Sequence, residues 1–248
     1  IGDITMVFLN CIGPRVDLAD IYSVENGLGV PWPCESEFNS VGCVREHSGY
    51  CFALAVMLFG PIKRIQSSGA LVAKTRKIAH DNYLKIDHND YYSAMLEFDS
   101  GIIGTVRVGD VANSADHSVE VVGTNGSVIL KELWDYHSEI VLKKGPYNAQ
   151  EPEKIIEYKK VPFVYEYVLA KDHSRGIANL CNMIEHPDSS HIYNLAQQIH
   201  VTELTECIAN CATSVLSTTC EPTDTTTWIT QIKTIANQPT KLRWAVLG

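Results

Sequence analysis

Four short segments between residues 91 and 133 alternate apolar and polar residues, and no stretch long enough for a helix separates them. The turn Asp99-Ser100-Gly101 joins the first two segments, and Gly123-Thr124-Asn125-Gly126 joins the last two. An Asn-Gly turn between alternating segments is the strongest short signal of a β-hairpin. Strands that follow one another so closely pair with their chain neighbours, so they predict a largely antiparallel sheet. The four predicted strands are residues 91–98, 102–108, 117–122 and 127–133.

Other segments add strands to this predicted sheet. Residues 2–9 place Ile4, Met6 and Phe8 on one side of a half-buried strand. Further strands are predicted at residues 62–73, 138–142 and 155–158, with an irregular segment at 10–40 and a polar stretch at 74–90.

Two helices are predicted in the C-terminal third, where apolar residues recur at helical spacing. The first helix ends at Pro187, because proline cannot continue the hydrogen-bond ladder. The second begins near residue 192. Together these elements predict an α/β fold in which a large, open, mainly antiparallel sheet carries helices on one face. The predicted apolar stripes are Ile177, Leu180, Cys181 and Ile184 in the first helix and Val201, Leu204, Ile208, Cys211 and Val215 in the second.

A third helix is predicted within residues 41–61, which begin with a glycine-led loop and end at Gly60-Pro61. Glycine accepts the left-handed conformation after a helix, and proline then prevents the helix from continuing. Glu46 and Tyr50 are four residues apart, so both project from the same side of the first turn. The predicted apolar face consists of Tyr50, Ala53, Leu54, Met57 and Leu58.

The composition narrows the classes of partner and compartment. A net charge of −9 and a pI near 5.4 oppose binding to nucleic acid or to an anionic membrane. The most apolar run, residues 51–59, is too short to span a bilayer. The eight cysteines include no Cys-x-x-Cys pair, and several fall within predicted helices. We therefore expect reduced thiols and a cytoplasmic protein, with neither nucleic acid nor a membrane as partner.

Residues 41–61 also resemble the glycine-rich loop and helix in the C-terminal domain of the Gfo/Idh/MocA family of NAD(P)-dependent sugar and polyol oxidoreductases. That family has a glycine, an acid, a small residue, a His or Tyr four residues after the acid, and a Leu/Phe-Gly-Pro stop. Gly42, Glu46, Ser48, Tyr50 and Phe59-Gly60-Pro61 take those places. The chain departs from the pattern twice, since the acid is usually Asp and the small residue is usually Gly.

The resemblance covers roughly residues 1–220. Phe98-Asp99-Ser100-Gly101 and Gly123-Thr124-Asn125-Gly126 resemble the turns of the family, and Arg175-Gly176 and His200-x-x-Glu203 match positions in its helices. The resemblance implies the substrate-binding and dimerisation half of an NAD(P)-dependent oxidoreductase that acts on a sugar, inositol or related polyol. It also implies a homodimer formed through the uncovered face of the sheet. The alternative is a non-catalytic binding or assembly module that keeps the fold and has lost the redox chemistry.

The resemblance assigns candidate catalytic roles to Glu46 and Tyr50. In the family, the acid and the His or Tyr position and deprotonate the substrate together with a lysine of the dinucleotide-binding domain, which this chain lacks. Arg45 and His47 lie beside this pair and are candidate substrate-binding residues. The structural alternative is that Glu46 only favours the positive end of the helix dipole while the ring of Tyr50 packs in the core.

Two more candidate substrate-binding residues lie elsewhere in the chain. Trp32 stands between Pro31 and Pro33 in the long irregular segment, where it would stack on a sugar ring or fill space beneath the loop. Arg175 is predicted near the start of a helix, where the dipole disfavours a positive charge. We therefore expect Arg175 to pair with an acid or to face the substrate cleft.

The sequence contains no complete Gly-x-Gly-x-x-Gly motif and no His-x-x-x-His or Cys-x-x-Cys pair. We therefore expect this chain alone to bind neither metal nor nucleotide, with NAD or NADP bound by the intact parent protein. Residues 237–239 are typical of a linker, and 240–248 resemble the opening strand of a second dinucleotide-binding domain of the family. The predicted domains are residues 1–232 and 233–248, within a parent protein that is a tandem fusion.

Overall fold

A computed structural model describes residues 1–15, 17, 39–78, 82–145, 150, 157–160, 174–186, 194–211 and 213–215. Nine strands form one sheet, and two more form a separate hairpin. In the sheet the strands are β1 (Ile4–Pro14), β2 (Ile62–Ala70), β5 (Tyr91–Phe98), β6 (Ile103–Ala112), β7 (Val119–Gly123), β8 (Gly126–Leu130), β9 (Ile140–Lys144), β10 (Glu157–Lys160) and β11 (Thr213–Val215). The hairpin consists of β3 (Thr75–Ile78) and β4 (Asn82–Lys85).

The strand order in the large sheet is β10-β9-β8-β7-β1-β6-β5-β2-β11. The central pair β1 and β6 is parallel, and the other neighbouring strands described are antiparallel. Both predicted hairpins are present, because their glycine turns Gly101 and Gly126 adopt the positive φ angles that such turns require. The predicted open, mainly antiparallel sheet is therefore confirmed.

Three helices complete the described structure: α1 (Cys43–Phe59), α2 (Ser174–Glu185) and α3 (Leu195–Ala209). Helix α1 ends at Gly60, whose φ of 82° and backbone bond to Val56 O confirm the predicted stop. An Asn194 capping box with Gln197 begins α3. Helices α1 and α3 pack against each other and against the sheet. None of the described helices is long and apolar enough to cross a membrane.

The hydrophobic core lies between the sheet and helices α1 and α3. Strand β1 contributes Val7, Leu9 and Cys11 to it, while α3 contributes Leu204 and Ile208. His200 of α3 is fully buried, and its Nε2 accepts a hydrogen bond of 2.9 Å from the backbone N–H of Ile62. This bond ties α3 to the first residue of β2, so the core is closed by a polar contact as well as by packing.

Several predicted boundaries were wrong. Strand β1 continues through Pro14 instead of giving way to a loop at residue 10, because its pairing with β6 extends to Pro14 opposite Ala112. The stretch 74–90 contains the β3–β4 hairpin. Val215 belongs to β11 instead of to the preceding helix, because the chain turns at Cys211, whose φ of 51° is left-handed.

The predicted buried faces were also wrong in part. Phe52, Ala55 and Val56 form the buried side of α1, whereas Tyr50 is exposed. Residues 51–59 are apolar around the whole helix, so spacing alone does not identify the side that meets the sheet. The apolar stripe of α2 and the Ile4 and Met6 side chains are likewise exposed rather than buried.

Predictions for other parts of the chain lie outside the described residues. These are the stacking role of Trp32, the linker at residues 237–239 and the strand at residues 240–248. The boundary between the predicted domains at residue 232 lies there too. The six cysteines within the described residues are free thiols.

Candidate functional site

The first turn of α1 carries the candidate site, and Gly42 sets its starting point. Gly42 has a φ of 83°, and a Cβ there would lie 2.9 Å from the ring of His88. Only glycine accepts both the positive φ angle and the close approach of the His88 ring without strain. This glycine therefore allows the chain to enter the helix at Cys43. The turn presents Glu46, His47 and Tyr50 toward the end of the sheet where β6 ends.

His47 lies between two carboxylates. Its Nε2 contacts Glu46 Oε2 in the same turn, and its Nδ1 lies 2.9 Å from Oδ1 of Asp110 on β6. The side chain is buried, with 8% of the residue exposed. Burial alone would lower the pKa of His47, but the adjacent Asp110 and Glu46 raise it to about 9. The imidazole is therefore protonated at neutral pH.

Asp110 reaches His47 because β1 leaves space opposite it. A Cβ on Gly13 would lie 3.0 Å from Asp110 Oδ1 and 3.7 Å from His47 Cε1. A glycine at this position therefore allows the two charged side chains to meet above the strand. The thiol of Cys11, two residues earlier, donates to the backbone O of His47 at 3.2 Å and anchors the helix to the sheet.

An aromatic wall formed by Trp134 covers one side of the charged group. Its ring stacks on His117 at a centroid distance of 3.9 Å and lies 5.1 Å from the ring of His47. Tyr50 meets Trp134 edge-on at 5.5 Å. Glu132 fixes this wall, accepting a bond from the Trp134 backbone N–H at 3.0 Å and lying 3.1 Å from His117 Nδ1. The wall therefore joins α1 to the segment between β8 and β9.

Two of the clustered side chains are accessible to a ligand. The Glu46 side chain is 31% exposed and Tyr50 is 52% exposed. Burial, and then the neighbouring Glu46, raise the pKa of Tyr50, so its hydroxyl is a hydrogen-bond donor at neutral pH. A carboxylate acceptor, a phenol donor and aromatic rings together suit a polyhydroxylated molecule that has both polar edges and apolar faces.

The charged group is not fully hydrogen bonded. Glu46 Oε2, His47 Nδ1 and Asp110 Oδ1 are buried and lie at ion-pair distances, but none has an aligned hydrogen-bond partner. These atoms are close enough to form ion pairs, but they are not aligned for hydrogen bonds, so their hydrogen-bonding capacity is not fully used. Within the described residues, no group of three or more His, Cys, Asp or Glu side chains has metal-binding geometry.

Two other residues of this part of α1 contact α3 instead of the cluster around His47. Arg45 forms a two-pronged ion pair with Glu206 of α3, at 2.9 and 3.0 Å. The hydroxyl of Ser48 is buried 3.1 Å from Thr205 Oγ1, also on α3. Arg175 lies in the first turn of α2. The structure thus brings together Glu46, His47 and Tyr50 but not Arg45.

Sequence reasoning missed Asp110, Trp134 and His117. Asp110 did give a signal, because it continues the alternation of β6 in which Val106 and Val108 face the core. An acid at an inward-facing position must find a buried partner, which His47 provides. Trp134 gave no comparable signal, because it follows β8 in a segment without regular structure.

The sequence model of the GFO/IDH/MocA C-terminal domain family matches residues 1–129. No protein with a curated sequence matches the chain.

Solved structures of dehydrogenases share the fold at low sequence identity. UDP-N-acetylglucosamine 3-dehydrogenase GnnA from Acidithiobacillus ferrooxidans is 9% identical with a TM-score of 0.58, and covers 85% of this chain and 54% of its own. An NAD binding oxidoreductase from Klebsiella pneumoniae is 12% identical with a TM-score of 0.60, covering 88% and 60%. Levoglucosan dehydrogenase in complex with NADH and levoglucosan is 15% identical with a TM-score of 0.60, again covering 88% and 60%.

The chain spans 54–60% of the length of these three proteins. Their likeness concerns the fold, and it agrees with the family match over more than half of the chain. The chain belongs to the Gfo/Idh/MocA family, of which it contains the C-terminal domain.

Proposed function

We propose that this chain is the substrate-binding half of an NAD(P)-dependent oxidoreductase that acts on a sugar, inositol or related polyol. The nucleotide-binding half lies outside this chain. The observation that carries the proposal is the convergence of Glu46, Tyr50, His47 and Trp134 at the start of α1. Two of these side chains are exposed, and the resemblance gives the same positions to the substrate-binding acid and its aromatic partner.

The chemistry of these side chains suits a carbinol. Oxidation of a carbinol requires a group that accepts the hydroxyl proton. The carboxylate of Glu46 is the acceptor, and the phenol of Tyr50 donates a hydrogen bond that holds the substrate oxygen. The ring of Trp134 supports Tyr50 from the side, at the 5.5 Å edge-on contact. The proton thus passes from the substrate oxygen to Glu46.

The nicotinamide belongs to the other half of the parent protein. The positive-φ glycines of the described residues are Gly2, Gly42, Gly60, Gly101, Gly126 and Gly145, which stand singly at turns and element ends. Within the described residues they form no consecutive cradle of the kind that holds a pyrophosphate, which supports a nucleotide site in the other half. When bound, the nicotinamide accepts the hydride from the carbinol carbon. The residues of this chain orient the substrate for that transfer.

The proposal is tested with the intact parent protein. NADH and NADPH are each added in thermal unfolding measurements, and turnover is followed with NAD or NADP against inositol, levoglucosan, L-sorbose and UDP-N-acetylglucosamine. We expect one nucleotide to raise the melting temperature and at least one polyol or sugar to be oxidised. A parent protein that binds neither nucleotide and oxidises none of these compounds would contradict the proposal.

Variants then locate the site. Glu46→Gln and Tyr50→Phe are each expected to lower kcat/KM by about 10²–10⁴-fold, the contribution of a positioned acid–base group. Matched controls are Glu97→Gln on β5, where Glu97 pairs with Lys63 and Arg64, and Tyr83→Phe on β4, where Tyr83 is 69% exposed. Unchanged turnover in both site variants would remove Glu46 and Tyr50 from the mechanism.

A second candidate is a binding module without redox chemistry. It is favoured by the contacts of Glu46 and Ser48, the two residues that depart from the family pattern, since both contact other residues of this chain. Glu46 contacts His47, and Ser48 contacts Thr205. A binding module would be stabilised by a sugar or polyol, yet would show neither nucleotide stabilisation nor turnover, so the same experiment separates the two candidates.

We also propose a homodimer formed through the face of the sheet opposite α1 and α3. Met6 lies beside Ile103 across the parallel pair, Met95 lies on the neighbouring strand, and all three are exposed. Exposed apolar side chains at the centre of a sheet suit a self-complementary interface. Sedimentation of the parent protein should show a dimer that Met95→Lys weakens and the loop variant Val72→Lys does not. A monomeric parent would contradict this proposal.

A further inference from the structure

The position of Asp110 gives it a part in the site that the family pattern of α1 does not include. Its backbone is held on both sides, since its N–H donates to Asp90 O at 3.2 Å and its O accepts from Arg76 Nη1 at 2.9 Å. The carboxylate therefore stands on a rigid strand end rather than on a loop. From there its Oδ1 lies 2.9 Å from His47 Nδ1.

The imidazole of His47 is restrained from several directions. Asp110 meets one ring nitrogen and Glu46 meets the other, while Trp134 packs against the ring. The Cys11 thiol binds the backbone O of the same residue. A ring held at both nitrogens and against an aromatic neighbour has little freedom to rotate, so it transmits the position of Asp110 to Glu46.

We propose that Asp110 is a positioning residue that holds the imidazole of His47 against Glu46, and so fixes the Glu46 carboxylate where it meets the substrate hydroxyl. The inference rests on the proposed function of Glu46. Glu46 Oε2 faces the imidazole, and Oε1 remains for the ligand.

The groups that face His47 come from every element packed around it. They are Glu46 from α1, Asp110 from β6, the Cys11 thiol from β1, and Trp134 from the segment after β8. Behind Trp134 lie Tyr50 of α1, Glu132 of the same segment, and His117 of the segment between β6 and β7. Cys11 remains a neutral thiol, because its hydrogen bond with Cys51 and its burial raise its pKa. Tyr50 remains neutral as well, so the two carboxylates are the charges in contact with the imidazole that stabilise its protonated form.

The first test is the titration of His47 in the intact parent protein, labelled with ¹⁵N in its histidine rings and followed by NMR. The variant His47→Gln assigns the signal. We expect the wild-type midpoint near pH 9. Asp110→Asn should lower the midpoint by about 1–3 pH units, the usual effect of one adjacent opposite charge. Asp116→Asn, on the exposed pair with Arg107, is the matched control and should leave the midpoint unchanged.

Two outcomes would overturn the proposal. One is a His47 midpoint that Asp110→Asn does not move. The other is a wild-type midpoint at or below the ordinary 6.5, which needs no variant and so decides the matter even where Asp110→Asn does not fold. This titration requires no turnover, so an inactive parent protein would end the proposed function without deciding the role of Asp110.

The second test uses the pH profile of turnover with the sugar or polyol that the parent oxidises. Activity should fall as the pH rises through the His47 midpoint. In Asp110→Asn this alkaline limb should move to lower pH by the same interval as the NMR midpoint, and Asp110→Glu should restore it in part. A variant that lowers turnover equally at every pH, without moving the limb, would mean that Asp110 supports only the fold.

Discussion

Two buried charged groups lie at the same end of the sheet, and they differ in how their hydrogen bonds are satisfied. Arg76 is 3% exposed and binds Asp90 Oδ2 at 3.0 Å. Asp90 also accepts the backbone N–H groups of Val72 at 2.7 Å and Ala73 at 2.9 Å. In the group of Glu46, His47 and Asp110, by contrast, charges are close but three buried atoms lack aligned partners.

The difference in hydrogen bonding indicates different roles for the two groups. A buried carboxylate with a full set of donors holds its loop in place, so Asp90 fastens β3 and the preceding loop to the sheet. In the His47 group the buried atoms without aligned partners face one another, while the side chain of Glu46 and the adjacent Tyr50 are partly exposed and can meet a ligand. We infer that the Arg76 group maintains the fold and that the His47 group serves the ligand.

Breaking the Arg76 group should have the largest effect on stability. Arg76→Met leaves the Asp90 charge buried without its ionic partner, and we expect the free energy of unfolding to fall by about 3–5 kcal/mol. Denaturant titration measures this change. The control Arg107→Met breaks a pair whose side chains are 48% and 41% exposed, and should cost less than about 1 kcal/mol. Equal costs in the two variants would contradict the comparison.

The His47 group should make stability depend on pH. The folded-state pKa of His47 is raised from 6.5 to about 9, so its contribution is complete below pH 6.5 and is lost as the pH rises through 9. The decrease should be on the order of 3 kcal/mol. Unfolding measured across this interval should show a slope that His47→Gln reduces and Asp90→Asn does not. An identical slope in His47→Gln would assign the pH dependence to other groups.

The smallest effect is expected at Arg45, on the opposite side of α1. Its pair with Glu206 is solvent-exposed, so Arg45→Met should change the free energy of unfolding by less than about 1 kcal/mol. The hydrogen bond from Arg45 lowers the pKa of Glu206, so the variant should raise that pKa. Carboxyl NMR measures the change. A large loss of turnover in Arg45→Met would instead return Arg45 to the substrate site.

The fold was largely predictable because its signals are local. The two glycine turns determine the strands that pair around Gly101 and Gly126, and Gly60-Pro61 determines where α1 ends. The buried side of α1 was not predictable, since residues 51–59 are apolar in every direction. The sheet selects Phe52 and Ala55 by contact, which is a tertiary effect.

The site was predictable only where it lies in one turn of helix. The spacing of Glu46 and Tyr50 places them together, and both are present in the cluster with His47. Asp110 and Trp134 come from distant parts of the chain, and only the pairing of β1 with β6 and the packing of α1 bring them there. From the sequence alone, an inward-facing acid on a strand can be recognised as needing a partner, but the partner residue cannot be identified.

The claim that the start of α1 binds the ligand is tested most directly by ¹⁹F NMR of the parent protein labelled with 5-fluorotryptophan. Trp134→Phe assigns the Trp134 signal among the four tryptophans of this chain. We expect a sugar or polyol that proves to be a substrate, such as levoglucosan or inositol, to shift the Trp134 signal. We expect Glu46→Gln to abolish this shift. A Trp134 signal that stays fixed while the polyol is bound and oxidised would contradict this claim.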